Sequence, residues 1–152
     1  MSTTLRLTAV LAHPDDESLG VGGTLAWCAA QGIATTLVTA TRGDAGRFGE
    51  HRDGPGHPGR EALGRIREAE LREAAAVLGV GEVEVLGYPD GALDQADPRE
   101  ATARIAAHLR RVRPQVVVTF AHDGAYGHPD HIAVSQFTTA AIVVAADPGR
   151  AA

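Results

Sequence analysis

Cysteine is nearly missing from this sequence, because only Cys28 of the 152 residues carries a thiol. One cysteine excludes an intrachain disulfide and also a metal site built from several thiolates. A chain without disulfides fits a reducing compartment, and we therefore expect a cytoplasmic protein.

Aromatic side chains and positive charge are also scarce. Phe, Trp and Tyr make up 4% of the residues, and 14 basic residues stand against 19 acidic ones, which gives a net charge of −5. Proteins that bind nucleic acids usually carry a basic patch, so we expect no nucleic-acid partner.

The sequence has no hydrophobic run long enough for a membrane helix. The longest late apolar stretch, residues 132–146, is short and interrupted by polar residues. The first apolar stretch, "LRLTAVLA" at residues 5–12, runs directly into "HPDDE" without the small-residue cleavage site of a signal peptide. We therefore expect neither a membrane span nor a secretory leader.

The sequence does contain an alternation of short apolar runs and helical patterns. Several of the runs are nearly continuous, which is typical of strands covered on both faces. Gly32 and Gly79 follow two of the helical patterns, where helices often end on glycine, and "DPRE" at residues 97–100 places Asp97 as an N-cap before Pro98. The predicted strands are Leu5–Ala12, Ala34–Ala40, Val83–Leu86 and Gln115–Phe120, and the predicted helices are Asp16–Gln31, Glu61–Leu78, Pro98–Val112 and Asp130–Ala146.

This βαβαβαβα order predicts the fold class. We expect one α/β domain over residues 1–152, a three-layer Rossmann-like arrangement with a mainly parallel sheet and helices on both faces. One segment departs from the alternation: residues 43–60, "GDAGRFGEHRDGPGHPGR", are rich in Gly, Arg and Pro. A loop of this length in a compact domain is either disordered or a working lid, and both interpretations stay open.

The tripeptide His-Pro-Asp occurs twice, in "AHPDDE" at residues 12–17 and in "YGHPDH" at residues 126–131. Each copy follows a predicted strand, so both belong to the carboxyl edge of the sheet, where open α/β folds bind ligands. Because proline disfavours a helical residue before it, we expect His13 and His128 close to an N-cap, with Pro14 and Pro129 at the first helical position.

The two copies together predict a metal site. Imidazole nitrogens and carboxylate oxygens suit zinc, and three protein ligands with one open position form the usual catalytic pattern. We choose His13, Asp16 and His131 as the ligands, although other divalent ions such as Fe²⁺ would also fit. The alternative is a polar pocket without a metal. We interpret the remaining histidines as loop or surface residues, namely His51, His57, His108 and His122.

These motifs resemble the PIG-L (LmbE-like) family of zinc-dependent N-acetylglucosaminyl deacetylases. The resemblance runs from Leu7 to about Ala145 and rests on "AHPDDESLGVGGTLA", on Arg67–Glu70 followed by "LGV", on "GYPDG" at residues 87–91 and on "YGHPDH". It implies the same three zinc ligands. It also implies that Asp15 is the general base, that His128 stabilises the oxyanion or acts as an acid, and that Asp130 orients His128. The residues implied to contact the substrate are Arg67, Asp90 and Tyr126.

The function expected from the resemblance is hydrolysis of the acetamide of an N-acetylglucosamine conjugate. A non-catalytic metal- or sugar-binding remnant of the same fold is the alternative, although such a protein needs neither Asp15 nor His128. Family members usually continue beyond the HPDH helix, so we expect a chain without the family's C-terminal portion. Either the chain is a truncated copy whose acceptor side is incomplete, or it is a minimal version in which the 43–60 loop, or a neighbouring subunit of a homo-oligomer, closes the site.

Overall fold

Four parallel strands form the sheet in the computed structural model, which describes residues 4–147 and 149. The strands are β1 Arg6–Leu11, β2 Ala34–Thr41, β3 Glu82–Tyr88 and β4 Val116–Val118, in the spatial order β3-β2-β1-β4. Every pairing is parallel. The predicted fold class is therefore confirmed, and each predicted strand corresponds to one observed strand.

Helices cover both faces of the sheet. They are α1 Asp16–Leu19, α2 Gly22–Ala30, α3 Arg60–Val77, α4 Pro98–Val112, α5 Gly124–Gly127 and α6 Pro129–Ala146, with a short 3-10 helix at Leu93–Gln95. One apolar core joins the sheet to α4 and α6 through residues such as Ile105 and Val134, and a second joins it to α2 and α3 through Leu25 and Leu71. Burial on both faces explains why the strand sequences are nearly continuous in apolar residues.

Local capping chemistry sets the start of α4 and the ends of α2 and α3. Asp97 accepts the Arg99 backbone N–H through its side chain, and Pro98 is the first helical residue. Gly32 and Gly79 both have positive φ just after α2 and α3, which glycine adopts without steric cost. These predictions from sequence are confirmed.

The first helical segment differs from its prediction as one helix over Asp16–Gln31. It is divided into α1 and α2 at Gly20 and Val21, and Val21 has a non-helical φ of −134° and ψ of 9°. A Cβ on Gly20 would lie 2.9 Å from the Asp16 carbonyl oxygen, so the chain approaches itself closely at the break. Gly20, the first glycine of "GVGG", therefore accommodates this break.

The two His-Pro-Asp copies also start their helices differently. His128 is the N-cap of α6 with Pro129 at the first helical position, as predicted. In the first copy the N-cap is Asp15, two residues later than expected, and Pro14 precedes the helix. The reason is a tight turn, in which His13 donates its backbone N–H to the Asp16 carboxylate at 2.8 Å.

The strand order puts both copies at one point of the sheet. The chain leaves β1 toward β2 on one side and reaches β4 on the other side of β1, so the connections diverge between β1 and β4. Crevices at such a switch point are the usual ligand sites of open α/β sheets. The segments that follow β1 and β4 meet there, although they are far apart in sequence.

Candidate metal centre

Three side chains from the two motifs converge at the switch point. The Nδ1 atom of His13 lies 3.2 Å from the Nε2 atom of His131. The Asp16 carboxylate faces both rings, with one oxygen 3.6 Å from His13 Nδ1 and the other 3.6 Å from His131 Nε2. Both histidines are buried. The structure thus brings together the three residues chosen as ligands from the sequence.

In each ring one nitrogen faces the other ring (the inner nitrogen) and one points away from it (the outer nitrogen). The hydrogen-bond partner of the outer nitrogen determines the tautomer of the ring. His131 Nδ1 lies 3.2 Å from the Gly124 carbonyl oxygen, which can only accept a hydrogen bond. His13 Nε2 lies 3.1 Å from carboxylate oxygens of both Asp90 and Asp130. Each outer nitrogen therefore carries a hydrogen, and the lone pairs of the inner nitrogens point at each other and at Asp16.

Two opposed lone pairs beside a carboxylate require a cation between them. Burial lowers the pKa of His13, but the carboxylates of Asp130, Asp16 and Asp90 outweigh it and raise the pKa to about 11. Without a bound metal, a proton therefore fills the gap between the rings. The donor set fits a divalent cation, because metal binding replaces such a proton and outer hydrogen bonds of this kind orient ligating histidines.

Asp130 contacts the side of the His13 ring that points away from His131. It is fully buried, and its carboxylate accepts the backbone N–H groups of Gly91 at 2.8 Å and Leu93 at 3.0 Å as well as His13 Nε2. Burial would raise its pKa, but His13 and the two backbone donors lower it, so the carboxyl stays ionised. Asp130 was expected to orient His128; its carboxylate contacts His13 instead, and its backbone N–H is the group that contacts the His128 ring.

Asp90 contacts both His13 and the 43–60 loop. One oxygen is 3.1 Å from His13 Nε2, and the other accepts the Ala45 backbone N–H at 2.8 Å. Burial opposes ionisation, but His13 and Ala45 lower the pKa of Asp90. The residue expected to contact substrate is therefore also part of the support of His13, while it still lines the pocket at the centre.

The orientation of the His128 ring is fixed by its position at the start of α6. Its Nδ1 atom accepts the Asp130 backbone N–H at 3.2 Å, so the hydrogen of the ring resides on Nε2. A hydrogen on Nδ1 would prevent this contact, because a nitrogen that carries a hydrogen cannot accept one. His128 lies within ligand distance of His13 and His131. A hydrogen on Nε2 makes it a donor, so Asp16 is the better third ligand.

Asp15 presents a carboxylate beside the centre without joining it. Its side chain is 54% exposed, and one oxygen accepts Arg67 Nη2 at 2.8 Å. Burial raises the pKa of this carboxyl, and Arg67 opposes the shift only in part. An ionised carboxylate with a raised pKa is a better proton acceptor than an ordinary aspartate.

Arg67 ties three segments together at this point. Besides Asp15, its guanidinium donates to the backbone carbonyl oxygens of Pro14 and of Gly43, the latter at 2.8 Å. A side chain on Gly43 or Gly46 would run into this guanidinium. The residue expected to contact substrate thus also fixes the start of the 43–60 loop against the first motif.

An open pocket of about 360 Å³ lies over these side chains. Tyr126, 74% exposed, stands at its rim with its ring edge-on to His131 at 5.2 Å between centroids. The 43–60 loop forms another wall through Ala45, Gly46 and Arg52. Seven of the nine site residues named from sequence line this pocket, and the other two, Asp130 and His131, contact His13.

Sequence reasoning missed several contributors to the site. Phe120 stacks on His131 at 3.9 Å between ring centroids, and the Gly124 carbonyl fixes the His131 tautomer. Glu17 lies buried next to Asp15, and Arg52 reaches the pocket from the loop. The closeness of Glu17 to HPDD was visible in the sequence, whereas the contacts of the other three depend on the fold.

A second group of ligand-type side chains lies at the opposite edge of the sheet. Glu82, Glu84 and His108 have ligand atoms within 4.8 Å of one another. His108 is buried, which corrects its expected surface position, and its Nδ1 lies 2.6 Å from Glu84. Arg111 already pairs with both glutamates, so a guanidinium supplies the positive charge here.

Comparison with known proteins relates the chain to one protein family. Residues 8–142 match the PIG-L family model, described as GlcNAc-PI de-N-acetylase. A 1D-myo-inositol 2-acetamido-2-deoxy-alpha-D-glucopyranoside deacetylase from Kineococcus radiotolerans is 40% identical over 95% of this chain, which covers 46% of that relative. The chain therefore spans about half the length of the relatives that it matches.

Two solved structures are also similar. The N,N'-diacetylchitobiose deacetylase of Pyrococcus horikoshii has a TM-score of 0.81 and 28% identity, over 95% of this chain and 51% of that one. The 4-carboxy-2-hydroxymuconate hydratase GalB of Pseudomonas putida has a TM-score of 0.85 and 26% identity, over 96% of this chain and 59% of that one. Because a hydratase uses the same fold, likeness of fold alone does not choose the reaction.

Within residues 4–147, no helix is both long and apolar enough to cross a bilayer.

Proposed function

The chain belongs to the PIG-L family, and from that premise we propose that it is a zinc-dependent deacetylase that removes the acetyl group from an N-acetylglucosamine conjugate. The observation that carries the proposal is the pair of inward-facing nitrogens of His13 and His131, 3.2 Å apart, with the Asp16 carboxylate across both. When bound there, zinc supplies a Lewis acid that polarises an acetyl carbonyl and makes water a stronger nucleophile.

Asp15 is proposed as the general base. Its carboxylate lies beside the ligand set, is half exposed to the pocket and has a raised pKa. It can therefore take a proton from the attacking water and later deliver it to the leaving amine. Help of this kind is typically worth about 10²–10⁴ in rate.

His128 is proposed as the donor to the oxygen of the tetrahedral intermediate. With Nδ1 occupied by the Asp130 backbone N–H, the Nε2–H is left to donate into the pocket. A neutral imidazole donates one hydrogen bond without needing to be protonated first. A donor fixed before the reaction stabilises developing negative charge without reorganisation.

Arg67, Asp90 and Tyr126 are proposed to contact the sugar. All three line the pocket over the centre. Arg67 and Asp90 also hold the loop and the motif in place, so their contacts to substrate would come from groups that are already oriented. Asp130 acts through His13, by holding the hydrogen on its Nε2.

The second candidate is a binding protein of the same fold that does not turn over. The observation behind this candidate is that the chain covers 46% of the Kineococcus relative, so about half of that deacetylase has no counterpart in the match. Against this candidate stands Asp15, which a binding site would not require beside the ligands.

The test removes metal with a chelator, restores zinc and measures amine release from N-acetylglucosamine conjugates. We expect zinc to restore hydrolysis in the wild type, while Asp15→Ala binds zinc and hydrolyses the conjugates about 10²–10⁴-fold more slowly. Asp94→Ala, a change at an exposed aspartate of the 3-10 helix, is the matched control and should remain active. Equal behaviour of wild type and Asp15→Ala in the presence of bound zinc would favour the binding protein.

A further inference from the structure

Glu17 is a buried carboxylate to which the proposed function gives no role, either in metal binding or in proton transfer. The residue is 2% exposed and lies in the first turn of α1, next to Asp16. A buried carboxylate is costly unless hydrogen bonds compensate for the lost water. Its burial therefore requires an explanation from its contacts.

Both oxygens of Glu17 accept hydrogen bonds from residues nearby in the chain. Oε2 accepts the backbone N–H of Asp15 at 2.9 Å, and Oε1 accepts the Ser18 hydroxyl at 2.7 Å. The first of these contacts reaches the residue that we propose as the general base.

Asp15 has a backbone conformation that needs support. Its φ of 105° and ψ of −29° lie in the positive-φ half of the Ramachandran map, which residues other than glycine rarely adopt. Such conformations persist where surrounding contacts hold them, and they concentrate at functional sites. Glu17 holds the backbone N–H of Asp15, and Arg67 holds its carboxylate.

The acidic residues of the motif thereby have separate tasks. Asp16 takes the His13 backbone N–H at 2.8 Å and faces the two ligand nitrogens. Glu17 takes the Asp15 backbone N–H, so Asp15 is left to face the pocket. Without Glu17, the peptide before Asp15 would be free to rotate and to move the carboxylate.

We propose that Glu17 is a positioning residue that acts through Asp15, by fixing the left-handed backbone that aims the Asp15 carboxylate into the pocket. The inference rests on the proposed role of Asp15. Displacement of a reacting group by about 1 Å can cost about 10²-fold in rate, so a group that fixes the base affects turnover strongly. The competing explanation is that Glu17 only stabilises the short helix α1.

The experiment compares Glu17→Met, which keeps the length but lacks an acceptor, with Glu17→Gln, which keeps one. Each is made in the wild type and in Asp15→Ala, and Ser18→Ala is the control that removes only the second hydrogen bond of Glu17. Single-turnover rates, KM and zinc content are measured for every variant. Amide hydrogen exchange at Asp15 is measured as well, because it reports on the hydrogen bond whether or not the chain turns over.

We expect Glu17→Met to lower kcat about 10–100-fold with little change in KM or zinc content, and Glu17→Gln to recover most of the loss. In Asp15→Ala, the same change should cause no further loss. The Asp15 amide should exchange at least about tenfold faster in Glu17→Met while the core amides keep their protection. Ser18→Ala should stay close to the wild type in rate and in Asp15 exchange.

An equal loss in both backgrounds, or an unchanged Asp15 amide in Glu17→Met, would overturn the proposal in favour of simple helix stabilisation. If Glu17→Met does not fold, Glu17→Ala, which also lacks an acceptor for the Asp15 N–H, is carried through the same comparison. If the wild type itself hydrolyses no N-acetylglucosamine conjugate, the proposed function fails, and the exchange measurement alone decides the role of Glu17.

Discussion

The inner nitrogens of His13 and His131 lie 3.2 Å apart although 118 positions separate them in the sequence. The parallel pairing of β1 with β4 produces this contact, because it brings the segments after both strands to one edge. The fold and the site are therefore linked through one strand pair.

His131 is expected to be essential for zinc binding. Replacing it with Ala removes one of three ligands and the inner lone pair, so we expect zinc affinity to fall by more than about 100-fold. Isothermal titration of the metal-free protein measures this change. His122→Ala, at an exposed histidine, is the control, and an equal loss there would contradict the assignment of ligands.

Asp130→Asn is expected to weaken zinc binding, although Asp130 is not a ligand, because Asp130 holds the ligand His13. The amide keeps one acceptor oxygen but cannot serve the Gly91, Leu93 and His13 donors together. We expect a loss of about 10–100-fold in zinc affinity and of about 1–3 kcal/mol in the free energy of unfolding. Titration and urea unfolding measure the two effects, and Asp94→Asn is the exposed control. A variant with normal zinc affinity would show that the carboxylate does not act on His13.

The metal-free protein should lose stability at high pH. The pKa of His13 rises from 6.5 to about 11 on folding. A raised pKa contributes stability that is fully present below pH 6.5 and is lost as the pH rises toward 11. Urea unfolding between these pH values should show the decline, and His13→Gln should flatten it. If the free energy of unfolding of His13→Gln declines with pH as steeply as that of the wild type, the raised pKa of His13 is contradicted.

Gly43 is expected to be intolerant of a side chain because of Arg67. Both Gly43 and Gly49 have positive φ, but only at Gly43 would a Cβ overlap the guanidinium, whereas nothing lies within 4 Å of it at Gly49. Gly49→Ala should cost about 1–3 kcal/mol of stability from backbone strain and retain activity. Gly43→Ala should in addition lose hydrolysis, because Arg67 must move away from Asp15. Equal activity of the two variants would show that Arg67 does not position this part of the site.

The sequence predicted the elements that local chemistry controls. Asp97 and Pro98 define the start of α4, and the apolar runs define the four strands. The break at Gly20 was missed because an apolar helical pattern continues across it, and a close approach of the backbone becomes visible only in three dimensions.

For the site, the two motifs were sufficient to choose residues but not to assign their partners. The family resemblance implied that Asp130 orients His128, whereas the fold turns its carboxylate toward His13 and only its backbone N–H toward His128. The burial of His108 depends in the same way on the packing of α4 over β3. Such contacts arise between elements and leave no periodic signal along the chain.

The most direct test of the account is the position of zinc in a crystal of the zinc-loaded protein, located by anomalous scattering at the zinc edge. We predict one strong peak, about 2.0–2.2 Å from His13 Nδ1, His131 Nε2 and an Asp16 oxygen. A peak on the other side of the His13 ring, between Asp90 and Asp130, or at Glu82 and Glu84 instead, would contradict the proposal that the two motifs hold one metal ion between them.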